Sequence, residues 1–233
     1  AVWSHVITAR HGVPLMVERG SGLVVEITDG DSLRYRGNLF YDLAKTSAIR
    51  LAGALAYELR PHGVTALAVT PGFLRSEAML EGFGVTEANW RDAVAKDPFF
   101  AECETPLYVG RAVAALAADP QVWKKSGGAY ASWTLSDEYG FTDADARRPH
   151  WGRFFAPHLH ARWAELTERV RAELRTRGAD PDTAFQADRE TLTLRIRTPE
   201  WVSIPLNEPD GVYGDLQPLA TWLADRVAVP ARG

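Results

Sequence analysis

Tyr41 and Lys45 lie four residues apart in the sequence. On a helix that spacing stacks the two side chains one turn apart on one face. An ammonium beside a phenol favours phenolate and lowers the phenol's pKa from its reference value of about 10. A phenol tuned in this way gives or takes a proton near neutral pH. Alone, the pair is equally a surface tyrosine beside a solvated lysine. Its surroundings add weight. Thr28 and Asp29 stand thirteen and twelve residues before Tyr41, at the end of an apolar run. Val69-Thr70-Pro71-Gly72 closes a second such run downstream. Two strand ends and a helix start thus converge with a hydroxyl, a phenol and an ammonium.

Other residues carry less. His158 and His160 are two apart and do not share a helix face, and His150 is remote from both, so no metal site is expected. Cys103 has no histidine near it in sequence and reads as an inert thiol rather than a nucleophile. Trp90, Phe99 and Phe100 are candidates either for a lid over a pocket or for ordinary packing. In the segment 162–177, arginines alternate with Glu165, Glu168 and Glu173, as on a solvated, salt-bridged face. A serine hydrolase is disfavoured, because no Gly-x-Ser-x-Gly elbow occurs.

The elements that must position these residues follow from periodicity. Val2, Val6, Ala9, Val13, Leu15 and Met16 predict a helix over Val2 to Arg19, ended by Gly20-Ser21-Gly22. Leu23 to Ile27 predicts a buried strand, and Thr28 to Ser32 is turn chemistry. A long helix is predicted from Asn38 or Tyr41 to Arg60, stopped at Pro61-His62-Gly63. Val64 to Val69 is a second buried strand. Phe73 to Thr105 has no clean period and reads as short helices and loops. Leu107 to Ala118 is helical, and Gly127 to Trp133 reads as a third strand. This alternation is that of an α/β fold with a parallel sheet. Sites in such folds lie beyond the C-terminal strand ends, here the turns at Thr28 and Pro71. The character changes at Trp151. A charged amphipathic helix over Pro157 to Arg177, a half-buried strand over Thr191 to Arg197, a turn-rich stretch over Pro205 to Pro218 and a short helix over Thr221 to Val229 are expected. Residues 1–150 and 151–233 are therefore expected to be separate regions, the second of unknown role.

The 233 residues are 46% hydrophobic and 24% charged with a net charge of -4, which is an ordinary globular balance. A slightly acidic chain gives no reason to expect nucleic acid or an anionic membrane surface as partner. No stretch approaches the roughly 20 apolar residues of a membrane span. A single cysteine rules out an internal disulfide and a multi-cysteine zinc site. With no signal peptide in view, a cytoplasmic setting is the expectation. Ala1 falls inside a predicted helix, so the beginning of a longer protein is expected to precede it.

Taken together, these pieces resemble the short-chain dehydrogenase/reductase family. The resemblance rests on the strand Leu23 to Ile27, on Tyr41-Asp-Leu-Ala-Lys45, on the helix end Glu58-Leu-Arg-Pro-His-Gly-Val64, and on Val69-Thr-Pro-Gly-Phe73. It covers about Val2 to Phe141. The segment Ser32 to Asn38 is similar to the subgroup of the animal dehydrogenase/reductase member 1 and its bacterial relatives. The implied fold is the C-terminal, catalytic half of a Rossmann-type, doubly wound parallel sheet, followed by a C-terminal α+β extension.

The implied activity is hydride transfer between NAD or NADP and a small carbonyl or secondary-alcohol substrate. Tyr41 would be the acid in reduction and the base in oxidation. Lys45 would lower its pKa and bond the nicotinamide ribose. Pro71 and Gly72 would shape the turn beside the nicotinamide, Leu74 would offer backbone groups to the carboxamide, and Ser76 would hold the carboxamide or a phosphate. The family's catalytic serine falls on Asp29 by alignment from the strand and on Thr28 by counting back from Tyr41. Thr28 can donate a hydrogen bond and an ionised Asp29 cannot, so Thr28 is the preferred candidate, with Ser32 as a substitute. The family's asparagine falls near Ala1. No Gly-x-Gly-x-x-Gly phosphate turn occurs in these residues, so this stretch by itself is expected to be inactive. The family commonly forms homodimers or homotetramers. The alternative implied by Asp29 is a catalytically impaired binding or scaffold protein.

Overall fold

A computed structural model describes residues 2–33, 35–190, 193–198, 200–205 and 216–227. They fall into two compact units, one of residues 1–33 and 40–154, the other of residues 34–39 and 155–233.

The first unit is built on a three-stranded sheet. It contains β1 (Gly22–Ile27), β2 (Val64–Thr70) and β3 (Ala129–Ala131) in that order. Both pairings are parallel, with Gly22 opposite Val64 and Ala68 opposite Ala129. Parallel neighbours need long crossovers. The first contains α2 (Leu39–Leu59), and the second contains α3 (Glu77–Phe83) and α4 (Pro106–Ala118). All seven residues of β2 are buried, as befits a β-branched strand with a neighbour on each side. Leu67 and Val69 of β2 pack with Ala112 and Leu116 of α4 and with Leu135 of α5 (Ser132–Tyr139). α1 (Val2–Arg19) precedes β1. The turn from α2 into β2 needs Gly63. Its φ is +67°, and a Cβ there would stand 2.5 Å from the Gly20 carbonyl oxygen.

Between β2 and α4 the expected short helices and loops appear. α3 and two 3-10 segments, Trp90–Ala95 and Pro98–Glu102, enclose a second core of Trp90, Ala93, Phe100 and Cys103. Trp90 and Phe100 are therefore packing residues, and Phe99 is half-buried against Trp151. The predicted third strand is shorter than expected, because Ser132 already starts α5.

α6 (Trp151–Thr176) starts six residues before the predicted Pro157, which lies inside it. Proline there removes one helical donor, the one opposite the Arg153 carbonyl, on an exposed part of the helix. In the second unit α6 buries Trp163, Leu166, Val170 and Leu174, three and four residues apart. They pack on the antiparallel sheet β4 (Phe185–Asp188), β5 (Thr193–Arg197) and β6 (Trp201–Pro205). Leu194 and Ile196 of β5 face this core, while Arg195 and Arg197 are exposed. A one-turn helix α7 (Pro181–Ala184) leads into β4. α8 (Gln217–Ala224) closes the unit and starts earlier than predicted, with Pro218 in its first turn. Thr191 and Leu192 of the predicted strand, most of the turn-rich stretch, and Ala228 and Val229 of the predicted last helix lie outside the described residues. No helix among the described residues is long and apolar enough to cross a membrane.

Candidate active site

The C-terminal ends of β1 and β2 meet the first turns of α2. The Thr28 N–H donates to the Val69 carbonyl at 3.0 Å and so extends the pairing of the two strands by one step. The Gly30 N–H then donates to the Thr70 hydroxyl at 2.8 Å, and that hydroxyl donates to the Pro71 carbonyl, also at 2.8 Å. Thr70 thus ties the turn after β1 to the turn after β2.

Tyr41 and Lys45 lie one turn apart on α2, as their spacing requires. The Lys45 Nζ is 5.4 Å from the centre of the Tyr41 ring. The phenol is 44% exposed, so a substrate could reach it. Its hydroxyl donates to Asp29 Oδ2 at 2.8 Å. Lys45 has no ion-pair partner among the described residues. Strand alternation separates Thr28 from Asp29. Thr28 is 2% exposed, and its hydroxyl donates to the Lys45 carbonyl at 2.7 Å. That bond secures α2 to the end of β1, and Asp29 is the side chain that meets the phenol. Replacing Thr28 with valine is expected to lower the unfolding free energy by about 1 kcal/mol, read from denaturant melts, and to leave kcat nearly unchanged. A large selective loss of kcat would place Thr28 in the chemistry.

Past Pro71 the chain runs close to neighbouring groups. A Cβ on Gly72 would lie 2.9 Å from the Trp151 Cβ and 3.0 Å from Glu104 Oε2, so a side chain there would push the turn aside. The Leu74 carbonyl accepts from the Ser76 N–H at 2.9 Å. The Ser76 hydroxyl caps α3, accepting from the Met79 N–H at 3.4 Å. Ser76 thus organises the segment after the turn.

Two buried charged residues carry no signal in the sequence pattern. Arg75 is 1% exposed. It binds Glu87 through three contacts of 2.7–3.1 Å, donates to the Cys103 carbonyl and lies over the Trp90 ring. Glu104, also 1% exposed, accepts from the Gly72 N–H at 2.9 Å and from the Ser132 hydroxyl at 2.7 Å. Burial raises its carboxyl to about 7, against the opposing pull of the Ser132 and Gly72 hydrogen bonds. The histidines behave as solvated or structural groups. His150 faces Asp137 at 3.3 Å, and His158 and His160 are exposed.

A family model described as enoyl-(acyl carrier protein) reductase matches residues 1–123, more than half of the chain. Mouse dehydrogenase/reductase SDR family member 1 is 35% identical over 145 residues, 61% of this chain and 46% of that protein. The chain belongs to the short-chain dehydrogenase/reductase family. The human counterpart of the mouse protein is 36% identical, with the same coverage. A short-chain dehydrogenase structure from Mycobacterium thermoresistibile aligns with a TM-score of 0.47 at 18% identity, over 65% of this chain and 50% of that one. This short-chain dehydrogenase/reductase chain spans about half the length of the curated relatives it matches. Its α/β class, with a parallel Rossmann-type sheet and a following α+β region, is the one the sequence implies.

Proposed function

We propose that the full-length protein is an NAD(P)-dependent oxidoreductase acting on a small carbonyl or secondary-alcohol substrate, with Tyr41 moving the proton. The observation that carries this reading is the Tyr41–Lys45 pair at the joined C-terminal ends of β1 and β2, with the phenol open to a ligand. The donor set fits a nicotinamide riboside. An ammonium with no ion-pair partner among the described residues suits ribose hydroxyls, and Thr70 ties the turn at Pro71 to the turn after β1. Bound there, the nicotinamide would supply or accept the hydride. Leu74 and Ser76 belong to the same proposed edge through their backbone and hydroxyl groups.

In reduction the Tyr41 hydroxyl would turn from Asp29 to the substrate oxygen and protonate it. In oxidation it would take the hydroxyl proton back. Lys45 stabilises the phenolate left after donation. Asp29 can accept from Tyr41 but, when ionised, cannot donate to a substrate oxygen. The oxygen would therefore be polarised by Tyr41 itself.

The same contact favours a second reading. A carboxylate on the phenol, where the family uses a serine, suits a protein that binds dinucleotide and turns over little. The two readings separate on turnover of NADH and NADPH by the purified full-length protein over a panel of ketones. Steady consumption with one ketone supports the oxidoreductase. Cofactor binding without turnover on any of them supports the second reading. A homodimer or homotetramer belongs to the same proposal, and Phe40, Leu43 and Tyr57 of α2 are large apolar side chains left exposed.

A further inference from the structure

We propose that Glu104 is the positioning residue of the Pro71–Gly72 turn and that, through this turn, it sets how tightly a dinucleotide is held. The inference rests on the functional reading above. Glu104 lies outside the Tyr41–Lys45 pair and touches neither residue. It stands between the 3-10 segment ending at Glu102 and the N-cap of α4, Thr105.

Its place in the fold is specific. The backbone on both sides of it is sewn to the segment that follows the turn. The Glu104 N–H donates to the Phe73 carbonyl at 2.9 Å, and its carbonyl accepts from the Arg75 N–H, also at 2.9 Å. Glu104 and Leu74 thereby form an isolated parallel bridge. This arrangement fixes where the carboxylate begins. Its Oε2 then takes two donors from two strand ends, the Gly72 N–H after β2 and the Ser132 hydroxyl after β3. One buried oxygen thus holds the two C-terminal edges together.

The second oxygen is the telling observation. Glu104 Oε1 is buried and has no hydrogen-bond partner among the described residues. A buried carboxylate oxygen left unpaired is costly. What offsets that cost is the strength of the two bonds at Oε2, since hydrogen bonds to an ionised acceptor are about twice as strong as neutral ones.

The groups around it are themselves held in place. Asp143, from the segment after α5, is 1% exposed and is held by the Thr105 N–H at 2.8 Å and by the Thr105 hydroxyl. Tyr108 of α4 is fully buried and donates to the Pro149 carbonyl. Arg75 and Arg147 both reach the carbonyl of adjacent Cys103. Trp133 of α5 and Trp151 of α6 crowd Gly72 from this side.

Burial puts the carboxyl at about 7, so its charge changes across neutral pH. Above that pH the ionised form grips Gly72. Below it the neutral form accepts weakly, and the turn is freer to move. The sign for stability is opposite. A carboxyl raised on folding stabilises the fold while protonated and loses that contribution as pH rises through about 7.

The test uses the full-length protein, NADH and NADPH, and two variants, Glu104→Gln and Glu104→Ala. Circular dichroism checks that each folds. In the wild type, the Kd of the preferred dinucleotide is expected to weaken several-fold, at most about tenfold per pH unit, from about pH 8 to about pH 6. Glu104→Gln should bind with a nearly flat pH profile. Its melting temperature should gain on the wild type as pH rises from about 4.5 to about 7 and hold that gain above. Glu104→Ala should bind more weakly than both at high pH. Wild-type pH dependence retained in Glu104→Gln would overturn the proposal, as would wild-type affinity in a folded Glu104→Ala, and either leaves the functional reading intact. A folded wild type that binds neither dinucleotide at any pH would overturn the functional reading itself, and this proposal with it.

Discussion

Replacing Tyr41 with phenylalanine is expected to lower kcat about a thousandfold while sparing the fold, since a positioned acid or base contributes roughly 10²–10⁴. The ring survives the change and keeps its place beside the Lys45 ammonium. Only the hydroxyl is lost, and its bond to Asp29 lies at the surface, where water replaces it cheaply. Cofactor affinity should hold within a few-fold, because the neighbouring lysine and the Pro71–Gly72 turn remain. The measurement is steady-state turnover at saturating dinucleotide and ketone, with a direct binding titration beside it. Equal kcat in the two proteins would remove Tyr41 from the chemistry. A loss confined to KM would recast it as a binding group.

Leu67→Ala is expected to have the other large effect, on stability. Leu67 is fully buried at the middle of β2, the strand that pairs with both others. Its neighbours in the core come from α4 and α5, so the cavity would be lined from several elements. Large-to-small changes at such sites cost about 2–5 kcal/mol, and a rigid central strand relaxes little, which puts the expected loss near the upper part of that range. Urea unfolding should show a lower midpoint with an unchanged slope. A loss below about 1 kcal/mol would mean that β2 is not the centre of the core. The contrast with Tyr41 is the useful part. One variant should keep its stability and lose its rate, the other the reverse.

The two expectations differ in how visible they are in the sequence. β2 is legible because an unbroken β-branched and apolar run admits few other fates, and its turn residues mark both ends. Tyr41 and Lys45 are legible as neighbours because helical spacing alone brings them together. The choice between Thr28 and Asp29 is not legible in the sequence, because it depends on which face each side chain takes as the strand runs out. Counting from Tyr41 does not resolve that one-residue parity; the Thr28 N–H bond to the Val69 carbonyl, one step past the Ile27–Val69 pair, does. Ser132 reads as strand because it follows two small residues and an aromatic, yet it starts α5. β4 and β6 escape a periodicity reading because each is short and stable only through pairing with β5. Glu104 has no local signal at all. Its partners lie 32 and 28 residues away, and it stands in a stretch with no periodicity.

The measurement that bears most directly on the account is a titration of the purified full-length protein with NADH and with NADPH, followed by nicotinamide fluorescence. The account predicts saturable binding of at least one, with emission changed as the ring leaves water. Saturation by neither, with a folded protein in the cell, would contradict it.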